Sequence, residues 1–170
     1  MKKITSYISF LVVLLFINSC GQKYVDPPNI ILIIGDDHGY PYFGFMGSEI
    51  VKTPNMDSLA NSGVLFKNGY VPENHCRPAL QSLITGMRPI DYNKKIKLIK
   101  ESQKQKREYL SYSKEKQKSW ERDFKYHAMK YVTTMPEKLQ EIGYKSFQSG
   151  KWWEYHFEYG GFTDGMTKGW

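Results

Sequence analysis

The sequence predicts an α/β fold with a parallel sheet, on three observations. The first is the continuous apolar run Ile30-Ile31-Leu32-Ile33-Ile34. It is too short for a globular helix and apolar on both faces, as a strand inside a parallel sheet must be. The second is a set of helices marked by Pro at the start and Gly at the end, around Pro54, Pro78 and Pro136. The third is the carboxylate pair Asp36-Asp37 directly after the apolar run, at the strand edge where open α/β sheets hold ligands.

The first twenty residues read as an export signal. Lys2 and Lys3 form a basic start, and Ile8 to Ile17 form an apolar stretch too short to span a bilayer. The stretch ends Ile17-Asn18-Ser19-Cys20-Gly21, which looks like a bacterial lipoprotein box with Cys20 as the lipidated residue. The expected protein is therefore exported and tethered through Cys20 to the outer membrane or a periplasmic face, with plain secretion as the alternative. A linker over 21–28 would lead into one domain over 29–170, a length suited to a single domain. With lipid on Cys20, Cys76 would be the only other cysteine, and no internal disulfide could form.

Adjacent carboxylates repel unless a cation neutralises them, so Asp36 and Asp37 suit a hard cation such as calcium or magnesium, or else an acidic turn. Thr53 is placed to cap a helix from Pro54 that stops before Gly63, and Val64-Leu65-Phe66 reads as the next strand. Asn68 to Asn74 form a loop leading to Cys76. Pro78 suits the first turn of the helix that follows, Leu80, Leu83 and Ile84 give it an apolar face, and Gly86 stops it. A cysteine at a helix start faces free N–H groups and the positive end of the dipole, a setting that favours thiolates and anions.

Residues 94–125 hold ten Lys and two Arg against five acids, an excess equal to the +7 of the whole chain. Their apolar residues are sparse, so a solvated helix or helical hairpin is expected. Such a basic insertion could also attract polyanionic sulfated glycans or anionic headgroups. Nucleic acid is not expected as the partner of an exported chain. Thr134 to Gly143 is a further helix, with Leu139 and Ile142 on one side. Lys145 to Ser149 is a candidate strand, and it delivers Gly150-Lys151-Trp152-Trp153, with His156 three residues on.

Four segments together resemble the sulfatases, members of the alkaline-phosphatase superfamily: Asp36-Asp37 after a strand, Thr53-Pro54-Asn55, Cys76-Arg77-Pro78 with Thr85-Gly86, and Gly150-Lys151-Trp152. They occur in the family's order and cover Asn29 to Met166. The resemblance implies an alkaline-phosphatase-like sheet with helices on both faces, of which this chain would be the N-terminal part. It implies hydrolysis of sulfate esters through a formylglycine made from Cys76 by a formylglycine-generating enzyme. Asp36, Asp37 and the modified Cys76 would hold calcium, with magnesium as the alternative, and Lys151 would bind a sulfate oxygen. Arg77 and His156 are further candidates for substrate binding.

Two positions depart from the family pattern. Leu80 stands where the family has an Arg that serves both maturation and the aldehyde hydrate, and Trp153 stands where it has a His. They support the rival expectation of a catalytically silent surface protein that binds sulfated glycans, with Trp152 and Trp153 stacking on sugar rings. A phosphoryl-transfer relative is a third reading. Complete sulfatases are longer and bring further metal ligands from later in the chain, so this part alone is expected to be inactive.

Overall fold

The computed structural model describes residues 27–169. The expected signal over 1–20, the lipidated Cys20 and most of the 21–28 linker lie outside the described residues. Among those described, no helix is long and apolar enough to cross a membrane.

The chain divides after Gly35. Residues 27–35 form no helix or strand, and Ile31 and Ile33 are each 84% exposed. This corrects the strand expected over Ile30–Ile34. A doubly apolar run becomes a strand only where neighbours complete its backbone hydrogen bonds, and the described sheet does not include it. Val64-Leu65-Phe66 is corrected likewise: it joins no ladder, and Val64 and Phe66 are exposed.

From Asp36 onward, helices dominate. They are α1 (Pro54–Ser62), α2 (Cys76–Thr85), α3 (Pro89–Lys104), α4 (Arg107–Leu110), α5 (Lys114–His127) and α6 (Met135–Glu141). Three short 3₁₀ turns punctuate them, at Gly44–Met46, Ala128–Tyr131 and Phe157–Gly160. The one described sheet pairs β1 (Phe147–Gln148) with β2 (Asp164–Gly165) in parallel, Phe147 opposite Asp164 and Gln148 opposite Gly165. Parallel pairing agrees with the α/β expectation. Two strands of two residues, however, cannot carry helices on both faces.

Local chemistry explains the helix ends. Gly86 adopts the left-handed conformation at φ +68° and its N–H closes α2 onto the Ser82 carbonyl at 2.8 Å. A reciprocal capping box starts α6: the Glu137 N–H donates to Thr134 Oγ1, and the Thr134 N–H donates to Glu137 Oε2. Thr53 departs from the expected helix cap. Its hydroxyl donates to Asp57 Oδ1 at 2.8 Å and accepts the Gly44 N–H at 2.8 Å, while Asp57 accepts the Phe45 N–H at 2.7 Å. Thr53 and Asp57 thus anchor the Gly44–Met46 turn on α1.

The core gathers Ile84 of α2, Tyr92 of α3, and Met129 and Val132 beyond α5, with Ile96, Ile99, Trp152, Tyr159 and Phe162 packed around it. Burying each large apolar side chain here stabilises the fold by about 1.5–3 kcal/mol. The basic segment is helical and folds back on itself. Lys100 Nζ donates to the Glu121 carbonyl at 2.9 Å, and the Tyr109 hydroxyl donates to Glu121 Oε1 at 2.7 Å. It is less solvated than its charge suggests, because Phe124 within it is only 3% exposed. The expected apolar faces are also thinner than sequence spacing implies: Leu83 and Ile142 are exposed.

Candidate active site

Three residues distant in sequence meet at the start of α2. Cys76 is its first residue, half-buried and free of any disulfide. No side chain caps this helix, and Pro78 removes one N–H donor from the first turn. The helix therefore presents backbone N–H groups and the positive end of its dipole beside the thiol.

Lys151, in the loop after β1, brings a cation to the same place. Its Nζ donates to Asp36 Oδ2 at 2.6 Å. The Asp36 hydrogen bond raises the Lys151 pKa above the ordinary lysine value, against a smaller cost of desolvation, and Cys76 adds to the rise as both a charge and a hydrogen-bond partner. Asp36, Cys76 and Lys151 form one cluster. Trp153 lies beneath it, with the Lys151 ammonium 5.3 Å from its ring centroid.

Asp37 follows in a left-handed turn at φ +56° and is exposed. Carboxylates are the right donor type for calcium or magnesium, but calcium takes six to eight oxygens. Among the described residues no group of three or more acidic, His or Cys side chains converges on a common point. Asp36 has an ammonium as its counter-ion instead. The donors fit a hard cation in kind and fall short in number, so they would hold one only with ligands from elsewhere.

Arg77 is placed differently from the expectation of substrate binding. Its Nε and Nη2 donate to the two oxygens of Glu154 at 2.8 and 3.0 Å, and Nη2 also reaches the Lys125 carbonyl at 2.6 Å. Burial pulls the Arg77 pKa down, but the Glu154 hydrogen bond and charge outweigh it and the net shift is upward. Gln81 adds a third hydrogen bond to Glu154, whose carboxylate is 2% exposed. Arg77 ties α2 to the loop after Lys151 and serves the site by holding that loop in place.

His156 does not join the cluster either. Its Nδ1 accepts the Glu158 N–H and starts the Phe157–Gly160 turn, with its ring against Phe157. Trp152 and Trp153 part company. Trp152 packs edge-on to Phe162 and donates to the His156 carbonyl at 3.1 Å, so it belongs to the core, while Trp153 is 39% exposed. Leu80, at the departed Arg position, lines a small crevice with Arg77, Met129, Trp152, Trp153 and Glu154.

Sequence reasoning missed Glu154 and Asp57. Asp57 sits four residues after Thr53, a spacing that puts both on one face of a helix turn and could have been read. Nothing local marks Glu154, because its partners lie 77 and 73 residues away.

A family model described as Sulfatase matches residues 28–169. Human (Homo sapiens) arylsulfatase A is 42% identical over 77 residues, which cover 45% of this chain and 15% of that protein. Mouse (Mus musculus) arylsulfatase J is 32% identical over 132 residues, 78% of this chain and 18% of its own. Mouse iduronate 2-sulfatase is 42% identical over 69 residues, 41% of this chain and 12% of its own. The chain thus spans less than a fifth of the length of these curated relatives. No solved structure matches it significantly.

Proposed function

This chain belongs to the sulfatase family, and we propose that it forms the nucleophile-bearing N-terminal part of a sulfuric ester hydrolase. Family membership implies an alkaline-phosphatase-like α/β fold. The chain supplies a helical portion of such a fold and one short parallel strand pair.

The observation that carries the proposal is the meeting of Cys76, Lys151 and Asp36 at an uncapped helix start. In this reading a formylglycine-generating enzyme oxidises Cys76 to an aldehyde. The hydrated aldehyde then attacks the sulfur of a sulfated small molecule or glycan, and the alcohol leaves. Lys151 supplies positive charge to the sulfate oxygens, in a position where backbone N–H groups add to it. Asp36 orients that ammonium. Asp37 and Asp36 are the residues that would hold calcium, or magnesium, and such an ion would polarise a sulfate oxygen when bound. In this reading the chain is exported and lipidated at Cys20, and the reaction runs outside the cytoplasm.

A second reading is favoured by one observation: Lys151 already has both a carboxylate and the Trp153 ring as partners. In that reading the cluster is catalytically silent and the chain binds sulfated glycans at the cell surface.

The test is the mass of the tryptic peptide carrying Cys76, taken from protein exported by its native host, together with turnover of an aryl sulfate. An aldehyde at Cys76 and release of the phenol support the hydrolase. A thiol throughout, with glycan binding retained in Cys76→Ala, supports the silent reading. Preferential turnover of an aryl phosphate would overturn both in favour of phosphoryl transfer.

A further inference from the structure

The basic hairpin and the segments that follow it line an open cavity of about 460 Å³ that shares no lining residue with the Cys76 cluster. Its volume lies within the range of small-molecule sites and suits one or two sugar rings. Tyr109 and Trp120 meet edge to face at 4.9 Å in its wall, and Tyr131 and Tyr159 line it from the segments that follow α5. Aromatic rings in such a wall offer flat apolar faces of the kind on which the C–H side of a sugar stacks.

The charges around this cavity are unusual in their pairing. Lys106, Lys116 and Lys130 all line it and are exposed, and among the described residues none of them has a carboxylate partner. Lys116 sits over the Tyr112 ring at 3.9 Å, and Lys130 lies between the Tyr131 and Tyr159 rings at 5.0 and 5.3 Å. Cation–π contacts position an ammonium without cancelling its charge. Three ammonium groups therefore remain available to an anion.

Two carboxylates, Glu108 and Asp123, also line the cavity. Glu108 accepts the Tyr112 hydroxyl at 2.6 Å, and Asp123 accepts from Arg122 and Ser119. Each keeps acceptor capacity beyond these bonds. The backbone of a DNA strand has no hydroxyl to donate to them. A sugar has hydroxyl donors that they can accept.

We propose that this cavity is a secondary binding site for a sulfated saccharide: ammonium groups for the sulfates, ring faces for the sugar and carboxylates for its hydroxyls. The sulfate part rests on the hydrolase reading, while the cavity and its chemistry do not depend on Cys76 being active. The site would retain a polymeric substrate on the protein while the ester is cut at the Cys76 cluster.

The experiment is titration of the whole chain with a chondroitin sulfate tetrasaccharide, its desulfated form and a tetrathymidylate of similar charge. Lys116→Gln/Lys130→Gln is compared with Lys94→Gln/Lys97→Gln, which removes equal charge from exposed positions outside the cavity. Two exposed ionic contacts predict about tenfold weaker tetrasaccharide binding for the first pair. The second pair should change it by less than about twofold. Equal losses in both lysine pairs, equal affinity for the desulfated sugar, tighter binding of the oligonucleotide, or no saccharide binding would each overturn the proposal. An unmodified thiol at Cys76 in protein exported by its native host, with tetrasaccharide binding intact, would count against the hydrolase reading alone.

Discussion

Lys151 donates to Asp36 at 2.6 Å although 115 positions separate them, so the first and last family segments of the chain meet in one ion pair. Both side chains are partly open to solvent, at 36% and 50% exposure, and surface pairs of this kind add little to the stability of a fold. The pair therefore matters for charge at the site more than for stability.

Asp36→Asn should bring the Lys151 pKa down toward the ordinary lysine value, because the Asp36 hydrogen bond is the largest cause of its rise. The Lys151 resonance followed by NMR against pH reads this directly. The thermal midpoint should scarcely move. An unchanged Lys151 titration would show that the ion pair does not persist in solution.

Glu154→Ala should cost far more stability than any change at Asp36. It removes a buried carboxylate that accepts from Arg77 twice and from Gln81 once, and it leaves a partly buried guanidinium without its counter-charge. Breaking such a pair costs about 2–4 kcal/mol, which denaturant unfolding resolves. Glu154→Gln keeps an acceptor and should lose roughly half as much. Equal losses for the two variants would mean that the charge, which both remove, holds the loop after Lys151 and that the volume and neutral acceptor kept by Gln add nothing.

What the sequence revealed follows the range of the forces involved. The helices at Pro54, Cys76 and Met135 were legible because their start and stop signals are local: Pro in the first turn and Gly just past the end. The Thr134–Glu137 capping box was there to be read, one residue on either side of Met135-Pro136. The strand at Ile30–Ile34 was misread because a strand is defined by its neighbours, which composition does not show. The Arg77–Glu154 lock and the Asp36–Lys151 pair were unreadable for the same reason. Its place beside Cys76 suggested that Arg77 serves substrate binding, and only packing shows where its fork points. In the basic hairpin, counting aliphatic residues hid the apolar packing that Trp120 and Phe124 supply.

Gly161→Ala should loosen the start of α6. Gly161 adopts φ +75°, and a Cβ there would collide with Glu137 Cγ and sit 2.7 Å from Thr134 Oγ1. Thr134 is 1% exposed, and its hydroxyl donates to the Gly160 carbonyl at 2.7 Å, so the capping box and the Phe157–Gly160 turn would be strained together. Strain at a left-handed position costs about 1–3 kcal/mol. The lowered unfolding midpoint should come with faster amide exchange in α6. A midpoint within error of the parent would mean that the turn relaxes freely.

His127 should make stability fall as the solution is acidified. Its ring packs against Tyr155 and Tyr159 at 4.5 and 5.5 Å, and burial lowers its pKa; the Lys130 charge lowers it further, while Asp123 opposes both. A base whose pKa is lower in the folded state binds its proton first in the unfolded chain. Between the ordinary value of about 6.5 and the depressed folded value, the unfolded state therefore holds more protons, and stability drops as the pH falls through that window. His127→Phe retains an aromatic ring and removes the titration. Unfolding free energies measured between pH 7.5 and 5.5 should converge on the variant's profile at the upper end and fall away from it at the lower end. A constant difference across that range would mean that the ring takes up its proton as readily in the folded protein as in the unfolded chain, and that water reaches it between the two tyrosines.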